Sequence, residues 1–482
     1  MQTNSIPDIT SSILKKAKRT ISVPFALRLR EQEQPLYCDK VIRVIPGKRL
    51  VAFGHWNNKP IVAKLFFERG KAKMHSHRDV AGIEALIVEN VPTPKLLFQG
   101  TDQKQHIHVL VFERIMDSCN LDALWHDKSD IEELTALMHA VTVELATQHV
   151  MGIVQHDLHL KNFLVTSKTI YTLDGDSVEH FNRTLSKKES LEHLGLFFSQ
   201  LGVGAEELKQ QLFDTYVKSR GWIVRPADTE LLQQTIKKYS TQRWLQYQKK
   251  IMRNCTAFDR IEKFTTLVMC DREYETENFI KFMRNPDVYF AQSNSQILKD
   301  GRSSTVAKIK IDNRTLVVKR YNVKSVWHWL RRCTRRTRAT EGWRISHLLR
   351  LMGIPTAKPI AFIEKRFFGL RNKSYLVMEY IDGKHCGEYF TKHCNDEDKI
   401  SKVAKRILAI FNQLAQLRMT HGDLKMTNII ISHDRPVLID LDGVREHRNV
   451  FSFKRTFNKE LQRFMKNWDN FPSVKNIFQK LM

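Results

Sequence analysis

The stretch HGDLKMTNIIISHDRPVLIDLDGV, residues 421–444, decides how the rest of the chain is interpreted. It places Asp423, Asn428, Asp440 and Asp442 around two short apolar runs. Asp and Asn are common turn residues and short apolar runs are typical of strands, so strands joined by surface turns are one interpretation. The other is a site for a metal ion and phosphate, because carboxylate and amide oxygens suit Mg²⁺.

A second copy of this stretch, HDLHLKNFLVTSKTIYTLDGDSV, occupies residues 156–178. In both copies the first Asp lies five residues before an Asn and seventeen before a second Asp, which begins an Asp-x-Asp pair. The corresponding residues are Asp157, Asn162 and Asp174 in the first copy and Asp423, Asn428 and Asp440 in the second. Agreement in every spacing indicates an internal repeat.

Further matching features precede each copy in the same order. The strand-like runs VLVFERI and YLVMEYI place Glu113 and Glu379 44 residues before the first Asp. Upstream of them, NVPTPKLL and GIPTAKPI each follow a helical pattern, and earlier still PIVAKLF and TLVVKRY carry the lone Lys64 and Lys319. Six features in one order, offset by roughly 255 to 266 residues, predict two copies of one domain.

We expect the first domain to span residues 1–283 and the second 284–482, with the junction near the polar run MRNPDVYFAQSN. Over residues 191–282, leucines and aromatics recur at three- and four-residue steps, which predicts amphipathic helices. The first domain would therefore carry a helical extension that the second lacks. The length of 482 residues agrees with two to four domains.

Composition limits the location and the partners. No run of 18 apolar residues occurs and the N-terminus lacks the apolar segment of a secretory signal, so we expect a cytoplasmic protein. Seven cysteines without a CxxC pair agree with a reducing compartment. The net charge of +26 would attract nucleic acid, anionic lipid or a phosphorylated substrate. The arginine-rich run RYNVKSVWHWLRRCTRRTRATEGWR is either a solvated helix face or a surface for membrane or acceptor phosphates.

The repeated residues are those needed to transfer a phosphoryl group from ATP. That reaction requires placement of the triphosphate, neutralisation of its charge by Mg²⁺ and lysine, and a base that orients the acceptor hydroxyl. Lys64 and Lys319 would bind the α- and β-phosphates. The predicted bases are Asp157 and Asp423.

The Mg²⁺ ligands would come from the Asn and the second Asp of each copy. These are Asn162 and Asp174 in the first copy and Asn428 and Asp440 in the second. Asp176 and Asp442, which end the Asp-x-Asp pairs, fit either a metal ligand or a turn-stabilising residue.

A phosphate-covering loop is clearest in LKDGRSSTVAKI, where Gly301, Ser303 and Ser304 would offer backbone amides and hydroxyls. The first copy offers the stretch from Gly47 to Gly54 in IPGKRLVAFG, residues 45–54. Neither is a GxGxxG, so an ordinary hairpin turn explains each equally well. Glu341 is the predicted helical acidic partner of Lys319, and Asp79 or Glu84 that of Lys64. Glu113 and Glu379 are grouped with the nucleotide-binding residues.

With these motifs, both halves resemble the protein-kinase-like fold, and more narrowly the lipopolysaccharide core kinase family that phosphorylates heptose or Kdo. LKDGRSSTV, LVVKRYN, GIPTAKP and HGDLKMTN carry the resemblance in the second half, and VAKLF, NVPTPKLL and HDLHLKN in the first. The resemblance implies an α+β fold of two tandem bilobal domains, each with a small antiparallel-sheet lobe and a mainly helical lobe.

The resemblance also implies ATP- and Mg²⁺-dependent phosphorylation of a sugar hydroxyl of the lipopolysaccharide inner core, at the inner face of the bacterial inner membrane. In that family's pattern Asp157 and Asp423 match the catalytic aspartate, and Lys64 and Lys319 match the phosphate lysine. The Asn and second Asp of each copy match the metal ligands.

Three alternatives fit the same residues less completely. A protein kinase is disfavoured because neither copy has an APE motif, Asp-x-Asp replaces Asp-Phe-Gly, and only 42 residues follow Asp440. One active copy with a pseudokinase or scaffold copy stays open, since both keep Lys, Asp, Asn and Asp. Nucleic-acid binding would explain the charge alone, because no zinc, helix-turn-helix or RNA-binding aromatic motif accompanies it.

Overall fold

The computed structural model describes residues 6–17, 21–127, 131–292, 295–323, 325–330 and 333–481. The chain forms two compact units. Unit 1 comprises Met1–Gln200 and Glu207–Ser240, and unit 2 comprises Leu201–Glu206 and Thr241–Met482. Each unit combines antiparallel sheets with helices, so the expected α+β class is confirmed. Within the described ranges, no helix is both long enough and apolar enough to span a bilayer.

Unit 1 contains a six-stranded antiparallel sheet in the order β1-β2-β3-β4-β6-β5, a three-stranded sheet β10-β9-β7 and the pair β11-β8. The strands are β1 (Phe25–Leu27), β2 (Leu36–Ile45), β3 (Arg49–Trp56), β4 (Lys59–Phe66), β5 (Leu96–Thr101), β6 (His108–Glu113), β7 (Cys119–Asn120), β8 (Ile153–Gln155), β9 (Phe163–Val165), β10 (Ile170–Thr172) and β11 (Val178–His180). The helices are α1 (Ser11–Lys16), α2 (Ala72–Val88), α3 (Leu121–Asp127), α4 (Ile131–Val150), α5 (Lys187–Phe198), α6 (Glu206–Arg220) and α7 (Pro226–Lys250), the last of which continues into unit 2 beyond residue 240.

The side chains of β4 alternate between the two faces of the sheet, and this alternation sets the face on which Lys64 lies. Ile61, Ala63 and Leu65 are fully buried in the core on one face of the six-stranded sheet. Successive side chains of a strand point to opposite faces, so Val62 and Lys64 lie on the other face. Val62 packs there against the core that α2 forms with the sheet. Lys64 therefore faces the side of the sheet that α2 covers.

Unit 2 contains a seven-stranded antiparallel sheet in the order β12-β13-β17-β18-β16-β15-β14, a three-stranded sheet β19-β21-β22 and the pair β20-β23. The strands are β12 (Phe258–Lys263), β13 (Thr266–Asp271), β14 (Ser295–Asp300), β15 (Ser304–Ile311), β16 (Arg314–Tyr321), β17 (Pro359–Phe367), β18 (Leu370–Glu379), β19 (Lys384–His385), β20 (Met419–Thr420), β21 (Ile429–Ser432), β22 (Arg435–Leu438) and β23 (Arg445–Glu446). The helices are α8 (Glu277–Arg284), α9 (Pro286–Phe290), α10 (Val326–Leu330), α11 (Arg338–Leu351), α12 (Cys386–Lys392), α13 (Glu397–Gln416), α14 (Val450–Lys466) and α15 (Pro472–Leu481).

The side chains of β16 alternate between the two faces of their sheet in the same way as those of β4. Leu316 and Val318 are buried in the sheet core, and Lys319 points to the opposite face. Tyr321 lies on that opposite face as well, in a cluster with Ala339 and Trp343 of α11. The lysine thus faces the helix that follows it in the chain.

The helical part of unit 2 has a core of its own. Helix α13 buries Val403, Ile407, Phe411 and Leu414 at three- and four-residue steps, which gives it one apolar face. That face belongs to a cluster that also contains Trp468 and the buried apolar residues of α14, α15, β21 and β22. Since β22 ends two residues before Asp440 and Leu441 belongs to the same cluster, this core holds the Asp-x-Asp turn in place.

The division between the units differs from the predicted boundary between residues 283 and 284. Strands β12 and β13 precede that boundary, yet β13 pairs with β17 and both belong to the seven-stranded sheet of unit 2. The predicted helical extension over residues 191–282 is accordingly divided. Helices α5 and α6 lie mostly in unit 1, whereas β12, β13 and α8 belong to unit 2. Helical periodicity carries no information about strand pairing, which explains the difference.

Candidate functional site

In unit 1, Lys64 joins a strand, a helix and a turn. Its Nζ lies 2.6 Å from Asp79 Oδ2 and 3.1 Å from Asp174 Oδ1. The Asp79 side chain is fully buried, and its other carboxylate oxygen accepts the Gly175 N–H at 3.1 Å. Of the two acidic residues predicted on α2, Asp79 contacts the lysine, while Glu84 is exposed.

These contacts keep Lys64 and Asp174 ionised. Burial by itself would lower the pKa of Lys64, but Asp79 and Asp174 together raise it. Burial would likewise raise the pKa of Asp174, but the charge and hydrogen bond of Lys64 lower it. Lys64 therefore stays a cation and Asp174 an anion at neutral pH, as phosphate and metal binding require.

The first-copy loop holds Asp157 beside Asn162. Asn162 Nδ2 donates to the backbone oxygen of Asp157 at 2.8 Å. His159 Nε2 lies 2.9 Å from Asp157 Oδ1, and this hydrogen bond, opposed by burial, lowers the pKa of the Asp157 carboxyl. Because the amide nitrogen of Asn162 is committed to the backbone, its amide oxygen is the atom left to bind a metal.

Both second aspartates have a left-handed backbone. Asp174 has φ +69° and Asp440 has φ +57°, a region that costs most L-residues energy and that Asp tolerates better than most. In each copy a short 3₁₀ turn follows directly. This local conformation directs both carboxylates toward the lysine of their own unit.

In unit 2, Lys319 has a different set of partners. Its Nζ lies 2.6 Å from Asp440 Oδ1 and 2.8 Å from Asp442 Oδ2. Asp442 also accepts a hydrogen bond from the Tyr321 hydroxyl at 2.6 Å and pairs with Arg338 at 2.5 Å. Burial and the neighbouring Asp442 carboxylate raise the pKa of Tyr321 well above its usual value, so the hydroxyl remains a donor.

The prediction that Glu341 pairs with Lys319 is wrong. Glu341 is 40% exposed and pairs instead with Arg336 at 3.4 Å and Arg344 at 3.1 Å. When NVPTPKLL is aligned with GIPTAKPI, the position in the second copy that corresponds to Asp79 is Gly342, which is not an acid. A Cβ at Gly342 would lie 2.7 Å from Leu376 Cδ2, so an apolar contact has replaced the carboxylate. Asp442 supplies the second negative charge that α2 supplies in unit 1.

The second-copy loop is built like the first. Asn428 Nδ2 donates to the backbone oxygen of Asp423 at 2.8 Å and to its Oδ2 at 3.1 Å. Lys425 Nζ lies 2.8 Å from the same Oδ2. Burial would raise the pKa of Asp423, but Lys425 and Asn428 lower it, which keeps the carboxylate ionised.

Glu460 of α14 holds this loop and was missed in the sequence. It accepts the backbone N–H of His421 at 2.9 Å and also that of Gly422. The side chain is buried although it is acidic. It occupies one position of a buried stripe otherwise formed by Phe453, Phe457 and Phe464. A single acid in an aromatic stripe is the signal that would have identified it.

The predicted phosphate loop is only partly a loop. Gly301 and Ser303 lie in the turn between β14 and β15, where the Gly301 N–H donates to Ser304 O at 3.1 Å. Ser304 begins β15 and is 4% exposed, so its side chain is buried and its contact with phosphate stays a prediction. In the first copy, Gly47 lies in the β2–β3 turn but Gly54 lies within β3.

Glu113 and Glu379 end β6 and β18 with exposed side chains. Their backbone N–H groups donate to Lys95 O and Lys358 O, each at 2.9 Å. Neither carboxylate is among the partners of Lys64 or Lys319 in the part of the chain that the structure describes. A role in nucleotide binding would therefore rest on their position at the strand ends.

The donor atoms suit Mg²⁺. Among the described residues, no group of three or more His, Cys, Asp and Glu side chains could hold a metal ion by themselves. Mg²⁺ usually takes one or two protein oxygens and completes its shell with phosphate oxygens and water. The carboxylate of Asp174 or Asp440 with the amide oxygen of Asn162 or Asn428 supplies such a pair in each unit.

Comparison with known proteins links unit 2 to kinases. Residues 290–482 match the model of the lipopolysaccharide kinase (Kdo/WaaP) family. The serine/threonine-protein kinase RAD53 of Saccharomyces cerevisiae is 29% identical over 96 residues, which is 19% of this chain, and the match spans only 12% of that relative.

Two solved structures are similar in part. The PknI kinase domain of Mycobacterium tuberculosis, in a mutant form, matches 42% of this chain and 95% of its own, with 13% identity and a TM-score of 0.28. Vaccinia related kinase 3 matches 50% and 94%, with 10% identity and a TM-score of 0.30. The family match over residues 290–482 supports a phosphotransferase of the kinase type in the second half of the chain.

Proposed function

We propose that unit 2 transfers a phosphoryl group from ATP to a sugar hydroxyl, on heptose or Kdo, of the lipopolysaccharide inner core. The observation that carries the proposal is the convergence of Lys319 and Asp440, 121 residues apart in sequence and 2.6 Å apart in space. The Asp423–Asn428 loop precedes the same Asp-x-Asp turn. The family match over residues 290–482 favours a sugar acceptor over a protein acceptor.

In this proposal each side chain has one task. Lys319 binds the α- and β-phosphates as a point charge. Asp440 and the Asn428 amide oxygen hold Mg²⁺, which when bound neutralises charge on the phosphates. Asp423, kept ionised by Lys425 and Asn428, accepts a hydrogen bond from the acceptor hydroxyl and orients it for attack.

Unit 1 is proposed as a second copy of the same domain. Asp157, Asn162 and Asp174 correspond in spacing to Asp423, Asn428 and Asp440. Lys64 contacts Asp174 as Lys319 contacts Asp440, and Asn162 bonds to Asp157 as Asn428 bonds to Asp423. Two arrangements follow: either both units turn over, or unit 1 supports a single active unit. The main chemical difference between the two sites is the ion pair of Lys64 with the fully buried Asp79.

The test is phosphate transfer by the full chain with ATP and Mg²⁺ to purified core lipopolysaccharide, with casein as the contrasting protein substrate. If unit 2 alone turns over, we expect Asp423→Asn to lower the rate by about 100-fold or more, the usual effect of losing a general base. If both units turn over, we expect it to lower the rate by about half, because unit 1 keeps its own base. Asp157→Asn would show whether unit 1 also turns over. Asp469→Asn, at an exposed Asp paired with Lys475, is the matched control. Transfer to casein alone, or full activity of Asp423→Asn, would contradict the proposal.

We also propose that unit 2 works at an anionic membrane surface on the cytoplasmic side, where a lipid-linked acceptor would be found. Three aromatic side chains support this: Trp327, Phe264 and Phe368 are 75%, 69% and 76% exposed. Phe264 and Phe368 occupy the tips of the β12–β13 and β17–β18 hairpins. Exposed aromatics near cationic residues suit the boundary between lipid headgroups and acyl chains.

The basic run next to α10 supplies the charge. Arg335 is exposed, while Arg331 and Arg332 lie outside the described residues. Each Lys or Arg near an anionic surface adds about 1 kcal/mol of binding. Changing all three arginines to Ala should therefore weaken co-sedimentation with phosphatidylglycerol vesicles markedly, and Phe368→Ser should do so at constant charge. Unchanged binding by both variants would remove the membrane proposal without affecting the test of phosphotransfer.

A further inference from the structure

Unit 2 contains a cavity of about 120 Å³ whose lining carries positive charge only. It is lined by Ser303 of the β14–β15 turn, Asn322 after β16, and the arginines Arg336, Arg338 and Arg371. No Asp or Glu is among the described residues that line it. The volume is several times the roughly 30 Å³ that one water takes up in the liquid, which is room for a small anionic group.

Two of the three arginines keep donors for a ligand. Arg336 has a side chain that is 64% exposed, and its ion pair with Glu341 is long, at 3.4 Å. Arg371 donates through Nε to Glu364 at 3.3 Å and through one terminal nitrogen to Thr334 O at 2.7 Å. A guanidinium has five N–H groups, so both arginines retain N–H groups beyond these bonds. The two acidic partners lie outside the cavity lining.

The third arginine connects the cavity to the candidate active site. Arg338 pairs with Asp442 at 2.5 Å, and Asp442 lies 2.8 Å from Lys319. Tyr321 also lines the cavity, and its hydroxyl donates a hydrogen bond to the same Asp442. An anion bound by Arg338 would compete with Asp442 for that guanidinium, and it would thereby change how firmly Asp442 holds Lys319.

We propose that this cavity, which is not lined by Lys319, Asn428 or Asp440, is a phosphate-binding site that takes a phosphate monoester group. Planar guanidinium groups bind phosphate oxygens in pairs, and hydroxyl and amide side chains such as Ser303 and Asn322 can complete the contacts. The group would come either from free phosphate or from a phosphate already carried by the acceptor. This site is inferred from its own lining, and it stands whichever acceptor the protein uses.

The test is calorimetric titration of the full chain with inorganic phosphate, with glucose 6-phosphate, and with glucose as the uncharged probe. Arg336→Gln is the main variant, because the exposed side chain can change without disturbing the core. Arg344→Gln is the matched control, since Arg344 pairs with the same Glu341 at 3.1 Å but does not line the cavity. Thermal unfolding of each variant checks that the fold is kept.

We expect Arg336→Gln to weaken phosphate binding about tenfold or more, Arg371→Gln to do the same, and Arg344→Gln to leave it within twofold. Tighter binding of glucose 6-phosphate than of inorganic phosphate would support an acceptor-borne group, and equal binding would support free phosphate. Glucose should not bind. Equal phosphate affinity in the wild type and Arg336→Gln, or no saturable binding by the wild type, would overturn the proposal.

Discussion

The buried charge cluster of unit 1 predicts a large cost for losing Lys64. Its ammonium lies 2.6 Å from Asp79, whose side chain is fully buried, and 3.1 Å from Asp174. Lys64→Met keeps most of the length of the side chain but leaves the Asp79 carboxylate with the Gly175 N–H as its remaining described partner. Removing one member of a buried ion pair costs about 3–5 kcal/mol. We expect unit 1 to lose about 3 kcal/mol of its free energy of unfolding.

A second substitution tests the physical reason for this cost. In the Lys64→Met background, Asp79→Asn removes the buried charge but keeps an oxygen for the Gly175 N–H. We expect this double variant to recover most of the loss, because an uncharged amide has a far smaller desolvation penalty. Lys319→Met should cost unit 2 less than half as much, since Arg338 still neutralises Asp442 and Asp440 is 33% exposed.

Hydrogen exchange of the full chain in increasing urea, read by mass spectrometry, measures both units in one experiment. Peptides from β4 and α2 report on unit 1, and peptides from β16 and α11 report on unit 2. If Lys64→Met and the double variant lose the same free energy, the isolated carboxylate is not the cause. If Lys319→Met costs as much as Lys64→Met, the difference in burial between the two lysine sites has no energetic meaning.

Two further predictions concern unit 1. A Cβ at Gly82 would lie 2.0 Å from Gly175 O, so Gly82→Ala should cost about 3 kcal/mol through overpacking, whereas Ala81→Ser at the exposed neighbouring position should change thermal stability little. Burial lowers the pKa of His193, in α5, to about 4 in the folded chain. In the unfolded chain the imidazole has its ordinary pKa of about 6.5, so between about pH 6.5 and 4 it is protonated in the unfolded chain but not in the folded one. The wild type should therefore lose about 3 kcal/mol more than His193→Gln over that range in urea unfolding, and identical pH slopes would contradict the reasoning.

The spacing of the repeat predicted the central geometry of the candidate site. Lys64 and Asp174 are 110 residues apart in sequence but within 3.1 Å in space, and Lys319 and Asp440 form the corresponding contact. The sequence could indicate this because Asp, Asn and a second Asp recur at identical spacings in both halves, and a lone strand lysine precedes them in the same order. Their roles in catalysis stay predictions until the variants are measured.

The remaining features depend on packing that periodicity does not record. Glu341 is acidic and lies on the predicted helix, yet the position that corresponds to Asp79 in the repeat is Gly342, and Glu341 pairs with Arg344 instead. Asp442 fitted a turn residue or a metal ligand equally well, and only the fold brings Arg338 and Tyr321 to it.

Strands β12 and β13 carry a practical consequence for dividing this chain. Residues 266–270 of β13 pair in register with residues 361–365 of β17. A polypeptide starting at residue 284 would leave that side of β17 without its neighbour, and its bare N–H and C=O groups would be a template for another molecule's strand. Such a truncated half would tend to self-associate into aggregates, whereas one starting at Thr241 would retain the shielding hairpin.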